Sequence, residues 1–187
     1  MAKISVLGPV ILGKIEPLDK EWQARRKKEM WWEPSNLKNP ERFHQLYGKC
    51  PDDIYQDFLD LEEELLCFGG YSVVLPDIEE DAKAILTRGY LRNGQSKMMV
   101  GRPSQCHANT ADLWDRNQKD HDVTICTGYA LSPDGLWRQH SWLLHRYDTG
   151  KQHRERVIET TAKRLAYFGF ELTQQEAELF AGQQAWS

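Results

Sequence analysis

Apolar side chains recur at helical spacing over residues 51–68, the clearest periodic stretch of the chain. The apolar positions are Ile54, Tyr55, Phe58, Leu59, Leu61, Leu65, Leu66 and Phe68. Pro51 suits the first position of a helix, and Gly69-Gly70 suits its end. The pattern predicts one amphipathic helix, in which Cys67 is a small core residue.

The stretches on either side of this helix have weaker patterns. A strand is predicted at residues 71–75, and Pro76 begins a second short helix that runs to about Thr87. Asn93-Gly94 is typical of a turn. The first 50 or so residues are irregular, with one potential helix at residues 19–32.

Beyond residue 100 the pattern predicts a helix, three strands and a last helix. Ser104 is expected to cap a helix over residues 105–116. Three segments rich in β-branched and aromatic residues follow, at residues 123–131, 136–147 and 156–161. Thr173-x-x-Glu176 is a capping box for a helix that runs to about Phe180. This order indicates an α+β fold.

Composition indicates a globular chain, which we expect to form a single domain over residues 1–187. Hydrophobic residues make up 40% and aromatic residues 11%, which argues against a disordered chain. The apolar runs are much shorter than the ~20 residues that a membrane helix needs. We therefore expect no membrane-spanning segment.

Charge gives no reason to expect a nucleic-acid partner. The net charge is −4, so nothing draws the whole chain to nucleic acid or to an anionic membrane. The basic run at residues 25–28 is flanked by Glu21 and Glu29, which favours a solvated helix face. The N-terminus lacks the pattern of a secretory signal, so we expect a cytoplasmic protein whose four cysteines are reduced thiols.

The candidate chemistry centres on Cys106, in the first turn of its predicted helix. Unpaired backbone amides and the helix dipole stabilise an anion there and lower the pKa of a thiol. His140, on the second of the three strands, is the candidate base, and Glu159, on the third, can orient its ring. A turn centred on Thr149-Gly150 would make His140 the direct partner of Glu159, whereas a longer loop would shift this register.

A cysteine at a helix start, followed by a histidine and an acid on successive strands, resembles the papain-like and transglutaminase-like superfamily of thiol enzymes. The sequences His-Ser-Trp at 140–142 and Glu-Thr-Thr at 159–161 are similar to the His-x-Trp and acid-x-Thr strands of the transglutaminase core. The resemblance covers residues 103–161, about a third of the chain. It implies a papain-like or transglutaminase-like core, in which the nucleophile helix packs on an antiparallel sheet. The implied nucleophile, base and orienting acid are Cys106, His140 and Glu159.

Three further residues are candidate substrate contacts. Gln105 adjoins the nucleophile, although papain-like peptidases carry their oxyanion glutamine several residues before the cysteine. Asn109 shares the helix face of Cys106 and could polarise a substrate carbonyl, with packing or capping as the alternative. Trp142 shares a strand face with His140 and could wall the cleft or pack in the core.

A zinc site is the main alternative chemistry. Cys106, His107, His121 and Cys126 are of the residue types that bind zinc. Adjacent ligands at a helix start seldom converge on one ion, and the chain has no Cys-x2-Cys pair, so we expect neither a metal nor a cofactor. His107 is instead expected to hydrogen-bond on the core side of its helix. Phosphate-loop, dinucleotide, zinc-protease and serine-hydrolase motifs are absent from the sequence.

The sequence therefore predicts a thiol-dependent amide hydrolase (a peptidase, amidase or deamidase) that acts through a thioester at Cys106 on a protein or peptide substrate. Residues 1–100 would form an N-terminal, mainly helical subregion that shapes the cleft. Residues 101–187 would form the catalytic core with its C-terminal helix. Two alternatives are transglutaminase-type acyl transfer and a non-enzymatic interaction module that binds a partner protein through Trp22, Trp31 and Trp32.

Overall fold

The computed structural model describes residues 41, 52–74, 81–117, 122–150 and 152–184. The helices are α1 (Asp52–Cys67), α2 (Ala82–Arg88), α3 (Cys106–Arg116) and α4 (Gln174–Gln184). The strands are β1 (Ser72–Val74), β2 (Tyr90–Asn93), β3 (Ser96–Met98), β4 (Val123–Leu131), β5 (Leu136–Asp148), β6 (His153–Glu159) and β7 (Ala166–Glu171). None of these helices has the length and apolar character needed to cross a membrane. The predicted helix at residues 19–32 and the start of the one at Pro76 lie outside the described residues.

The strands form one mixed sheet in the order β2-β7-β4-β5-β6-β3. The central pairs are antiparallel, whereas β3 runs parallel to β6, and β1 runs parallel to the first residues of β5. Helix α3 packs on β4 and β5, and on α4. A mostly antiparallel sheet with packed helices confirms the predicted α+β class.

The sheet curls strongly. Arg92 of β2 forms an ion pair with Glu155 of β6, although three strands separate β2 from β6 in the sheet order. The hydroxyl of Tyr167, on β7, donates a hydrogen bond to Glu159 Oε2 at the end of β6, at 3.0 Å. These contacts require the sheet to wrap around one of its faces, which we call the inner face.

The inner face holds an apolar cluster. Because alternate residues of a strand point to opposite faces, Cys126 and Ala130 of β4 share this face with Trp142 of β5 and Tyr167 of β7. All four are at most 1% exposed. The cluster comprises Cys126, Ala130, Trp142, Leu144, Val157 and Tyr167.

Helices cover the outer face in two groups. The apolar cluster under α3 and α4 comprises Trp114, Ile125, Leu143, Ile158 and Ala177. The cluster that includes α1 and α2 contains Phe58, Leu61, Leu65, Ile85, Tyr129, Leu131, Trp137 and Phe168. Burial of these large side chains on folding stabilises the positions of the helices by roughly 25 cal/mol for each Å² of apolar surface removed from water. The helix that carries Cys106 is therefore held firmly on the sheet.

Strands β4 and β7 come unusually close where Gly128 faces Gly169. A Cβ atom on Gly169 would lie 2.2 Å from the carbonyl oxygen of Thr127, and one on Gly128 would lie 2.3 Å from that of Phe168. Gly128 also pairs with His140 across β4 and β5. The two glycines therefore set the sheet spacing beside the candidate base.

Several elements match the sequence-based predictions closely. Strand β4 has the predicted bounds, and α1 and α3 lie within a residue of theirs. The capping box is present: the backbone N–H of Thr173 donates to Glu176 Oε2 at 2.7 Å, and that of Glu176 donates to Thr173 Oγ1 at 3.3 Å. The last helix continues to Gln184, beyond the predicted end at Phe180.

Other predictions were wrong. Ser104 has a positive φ of 59° and does not cap α3, which begins after Gln105 without a side-chain cap hydrogen bond. Cys67 is exposed rather than part of the core, because it lies on the same face of α1 as the exposed residues Asp60 and Glu63. Strand β6 begins at His153, earlier than predicted. Strands β2, β3 and β7 were not predicted.

Candidate active site

The site lies beside an interruption in sheet pairing along β5. One edge of β5 pairs with β1 up to Arg138 and with β6 from Leu143 onwards. Among the described residues, no strand pairs with this edge over residues 139–142. Helix α3 is anchored at this stretch, because Thr110 Oγ1 donates a hydrogen bond to the carbonyl oxygen of Ser141 at 3.1 Å. The N-terminal half of α3 is thereby fixed over β5.

The β5–β6 register differs from the predicted one. Asp148 pairs with His153 and Leu143 pairs with Ile158, so the hairpin closes through a longer loop over residues 149–152. This moves β6 by two positions from the predicted pairing, and the direct pairing of His140 with Glu159 is wrong. A shift of two residues keeps each side chain on its face, and diagonal neighbours remain within reach of long side chains.

His140 and Glu159 nevertheless meet. His140 Nε2 lies 2.8 Å from Glu159 Oε2, and the two residues are 1% and 0% exposed. Glu159 is fully engaged: Oε2 also accepts from the Tyr167 hydroxyl, while Oε1 accepts from the backbone N–H and the hydroxyl of Thr161 at 2.8 and 2.9 Å. Every partner is a donor, so the site is built for the ionised carboxylate.

The pKa of Glu159 reflects this arrangement. Burial opposes ionisation, but the hydrogen bond and charge of His140, together with the Thr161 donors, outweigh it and lower the pKa to about 2. For His140, burial acts to lower the pKa, whereas hydrogen bonds with Cys106 and Glu159 raise it above its ordinary value. The pair therefore favours an imidazolium beside a carboxylate.

Cys106 is the member of the triad that reaches the surface. It is half-buried at the first position of α3, whereas its two partners are buried. Burial acts to raise the pKa of the thiol, but hydrogen bonds with His107 and His140 reverse the effect and lower it to about 5. Because Glu159 occupies Nε2 of His140, Nδ1 is the ring nitrogen left for the sulfur. A thiolate facing an imidazolium is a competent nucleophile and proton donor pair.

His107 contributes more than the sequence predicted. Its Nδ1 lies 2.8 Å from Ser141 Oγ, in agreement with the expected hydrogen bond on the core side of α3. Its hydrogen bond with the Cys106 thiol was not predicted. The sequence indicated this contact only through the position of His107 next to Cys106. The position of Ser141 under the helix, which fixes the ring, depends on the tertiary fold.

The three candidate substrate residues have different surroundings. Gln105 is exposed and immediately precedes α3. Asn109 Nδ2 donates to the carbonyl oxygen of Arg102 at 2.7 Å, and its Oδ1 accepts from the backbone N–H of Arg102 at 2.9 Å, so it holds the loop before the nucleophile. Trp142 is buried, and its ring centre lies 5.0 Å from that of Tyr167. This position agrees with the core-packing alternative for Trp142. Contact of these side chains with a substrate stays a prediction.

The residues of the zinc alternative are not brought together where the structure describes them. Cys126 is buried in the inner cluster, where burial raises the pKa of its thiol. In the described ranges, no three His, Cys, Asp or Glu side chains form a group that could hold a metal ion. His121 lies outside those ranges, as do Trp22, Trp31 and Trp32 of the interaction-module alternative.

The geometry thus brings together the three residues that the sequence singled out, with a reactive thiol at the surface and its two supporting groups inside. The arrangement can generate a nucleophile at neutral pH and return a proton to a leaving group. The chain matches no protein-family model, no curated protein and no solved structure at a significant level of similarity.

Proposed function

We propose that this protein is a cytoplasmic thiol-dependent amide hydrolase with a papain-like or transglutaminase-like core. One observation carries the proposal: a half-buried thiol with a pKa of about 5 contacts a buried imidazole, which is itself held by a buried carboxylate. Burying a charged pair costs several kcal/mol of desolvation unless it is fully hydrogen-bonded. A buried pair of imidazole and carboxylate next to a thiol that is open to solvent is typical of catalytic sites.

The proposed reaction begins with the Cys106 thiolate. The sulfur attacks the carbonyl carbon of an amide, and the developing oxyanion lies near the unpaired N–H groups of the first turn of α3. Collapse of this intermediate breaks the C–N bond, and the His140 imidazolium gives its Nδ1 proton to the leaving amine. The products of this half-reaction are a thioester on Cys106 and a free amine.

Water completes the cycle. Neutral His140 takes a proton from a water molecule as the oxygen attacks the thioester carbonyl, and the C–S bond breaks to release a carboxylic acid and the thiolate. Glu159 keeps the imidazole in one orientation during both half-reactions and stabilises its charged form. Hydrolysis is preferred over transamidation because no motif of the sequence indicates an amine-binding site. None of these steps needs a cofactor.

A direct test combines turnover with trapping of the thioester. Purified protein is offered peptide anilides, glutamine-containing peptides and simple amides, and release of amine or ammonia is measured at pH 7. We expect turnover with at least one of these amide classes, loss of turnover in Cys106→Ala, and unchanged turnover in the matched control Cys67→Ala.

Two outcomes would argue against hydrolysis. An amine that enters the product in preference to water would favour acyl transfer of the transglutaminase type. Absence of turnover, together with a Cys106 thiol that iodoacetamide modifies at pH 6 no faster than Cys67, would refute a thiol enzyme altogether. Intact-mass detection of an acylated chain, missing from Cys106→Ala, would support the thioester.

A further inference from the structure

A second cation lies beside the buried carboxylate of the candidate site. Arg164, in the loop between β6 and β7, forms an ion pair with Glu159, with 4.0 Å between Arg164 Nε and Glu159 Oε2. The same oxygen contacts His140 Nε2 at 2.8 Å. Among the described residues, these are the two cationic side chains that pair with Glu159. The proposed mechanism uses His140 and gives Arg164 no task.

Hydroxyl groups hold Arg164 in this position. Its Nη1 group donates to Ser132 Oγ, a buried hydroxyl, and its Nη2 group donates to Thr161 Oγ1 at 3.3 Å. The Thr161 hydroxyl in turn donates to Glu159 Oε1 at 2.9 Å, so it connects the guanidinium to the carboxylate. The remaining donor atom, Nε, is buried without a hydrogen-bond partner and faces Oε2. The guanidinium is therefore directed at both oxygens of Glu159.

The charge of Arg164 is permanent, whereas that of His140 is not. A guanidinium stays protonated in proteins, but the proposed mechanism requires His140 to give up a proton and to regain it. Whenever His140 is neutral, Glu159 is a carboxylate that is 0% exposed, and a buried charge without a partner is strongly unfavourable. If His140 were its one cation, this cost would oppose release of the His140 proton.

We infer that Arg164 is a positioning residue that acts through Glu159: its permanent charge compensates the carboxylate in both protonation states of His140. The carboxylate is thereby shared between two cations, and it attracts the imidazolium less strongly than it would in a single pair. His140 can then give its proton to the leaving amine and take another from water. The inference rests on the proton transfers of the proposed function.

The test measures the pKa of His140 itself and needs no turnover. Cys106→Ala is the parent chain, because a thiol and an imidazole in contact titrate together. The Cε1–H signal of the His140 ring is followed by nuclear magnetic resonance from pH 4 to pH 11 and is assigned with His140→Gln. The other titratable groups at the site, among the described residues, are His107 of α3 and Tyr167 of β7. Both are present in every chain compared.

Arg164→Gln in this parent is expected to raise the pKa of His140 by about one unit, at the lower end of the effect of a charge within ~4–6 Å. Arg164→Lys keeps a positive charge and should restore most of the difference. The matched control Arg116→Gln removes a guanidinium whose ion pair with Asp112 lies on the exposed surface of α3, and it should follow the parent. Circular dichroism and the thermal midpoint of each variant establish that it is folded.

A milder variant tests the position of the charge. The Ser132 hydroxyl bonds to Arg164, so a change in the pKa of His140 in Ser132→Ala reports movement of the guanidinium. We expect an increase that is smaller than that in Arg164→Gln. An unchanged pKa in Arg164→Gln, or in Ser132→Ala if Arg164→Gln does not fold, would overturn the inference. Arg164→Lys titrating like Arg164→Gln would also overturn it, since the charge would then have no effect.

Activity gives a second measurement in a chain that retains Cys106. If amides are turned over, Arg164→Gln should lower kcat by up to about tenfold, because the His140 imidazolium becomes a weaker acid by about one pKa unit. The alkaline limb of the pH–rate profile should move to higher pH. A loss of activity without this movement would indicate a purely structural residue and would contradict the inference.

The outcomes separate this inference from the proposed function. A chain without amide turnover, but with a His140 pKa that depends on Arg164, would refute the hydrolase and leave the shared carboxylate in place. Amide turnover combined with a His140 pKa that is independent of Arg164 would do the opposite.

Discussion

Replacement of Glu159 by glutamine should weaken the fold by an amount that depends on pH. All four hydrogen bonds to the Glu159 side chain come from donors: two from Thr161 at Oε1, and one each from His140 and Tyr167 at Oε2. An amide has a single oxygen. Whichever way the Gln side chain turns, its NH2 group faces two donors, and those donors lose their acceptor.

The expected loss of stability can be worked out from the pKa of the Glu159 carboxylate that the substitution removes. The fold lowers the pKa of Glu159 from 4.5 to about 2, which corresponds to about 3 kcal/mol of stability above pH 4.5. Removal of one member of a buried charged pair costs about 3–5 kcal/mol in other proteins. We therefore expect Glu159→Gln to lower the free energy of unfolding by about 3 kcal/mol at pH 7.

The sign of the pH dependence is fixed by the direction of the shift. A carboxyl whose pKa is lowered by folding contributes fully above its unfolded value and loses its contribution as pH falls towards its folded value. The stability of the wild type therefore decreases between about pH 5 and pH 2, and the variant lacks this part of the decrease. The difference between the two chains should be largest at pH 7, less than half as large at pH 3, and close to zero only below about pH 2.

The assay is urea unfolding followed by far-ultraviolet circular dichroism at pH 7, 5 and 3, with free energies from linear extrapolation. The matched control is Glu178→Gln, which removes an exposed carboxylate of α4 and should change the free energy of unfolding by less than about 0.5 kcal/mol. A Glu159→Gln chain within 1 kcal/mol of the wild type at pH 7, or a difference that does not shrink with acid, would refute this reasoning.

The same structure makes three shorter predictions. Cys106→Ala should abolish amide turnover yet leave the thermal midpoint within a few degrees, because the thiol is half-buried and fills no cavity in the core; a collapse in stability would contradict this. At pH 6, iodoacetamide should modify Cys106 well before exposed Cys67 and buried Cys126, and equal rates by peptide mapping would count against a perturbed thiol. Gly169→Ala should destabilise the protein by at least about 2 kcal/mol in urea unfolding, since its Cβ would overlap a backbone carbonyl. The matched variant Gly182→Ala has nothing within 4 Å of the new Cβ and should stabilise α4 by up to about 1 kcal/mol. Similar effects from both variants would refute the argument that β4 and β7 approach closely at Gly169.

The parts of the fold that could be predicted from sequence are those with a strong local pattern. Strand β4 is rich in β-branched residues and ends at a cluster of turn residues, and helix α3 begins after Arg102-Pro103-Ser104, so their limits were predicted to within a residue. The capping box between Thr173 and Glu176 is a similarly local device. Cys106 and His140 were found in the same way, since each residue type sits at a recognisable place on its element.

Features that depend on the tertiary fold were missed. Strand β7 is almost completely buried on both faces and shows no alternation that would distinguish it from other apolar runs. The β5–β6 register depends on a loop in which Asp148 Oδ1 accepts from the backbone N–H of Gly150 and Thr149 bonds with Gln152. The contact of His140 with Glu159 was predicted from the wrong pairing and is present because a two-residue shift preserves the strand face.

The contact of His107 with the Cys106 thiol could not be derived from the spacing of residues in the sequence. A helical wheel places its side chain about 100° from that of Cys106, which suggested the core side alone. At the first turn of α3, the ring bridges Ser141 and the thiol because the helix start lies over the unpaired stretch of β5. That location is a property of the assembled sheet.

The curl of the sheet also bears on the order of events in folding. The β4–β5 hairpin closes a short loop, whereas contact between α3 and β5 spans 34 residues from His107 to Ser141, and the Arg92–Glu155 pair spans 63. Contacts across long separations must overcome the entropy of closing large loops and form after local ones. Until they form, Cys106 is an ordinary thiol with a pKa near 8.5 and is largely protonated at neutral pH. The nucleophile is therefore activated by completion of the fold, and in a nascent or unfolded chain only a few per cent of the Cys106 thiol is ionised at neutral pH.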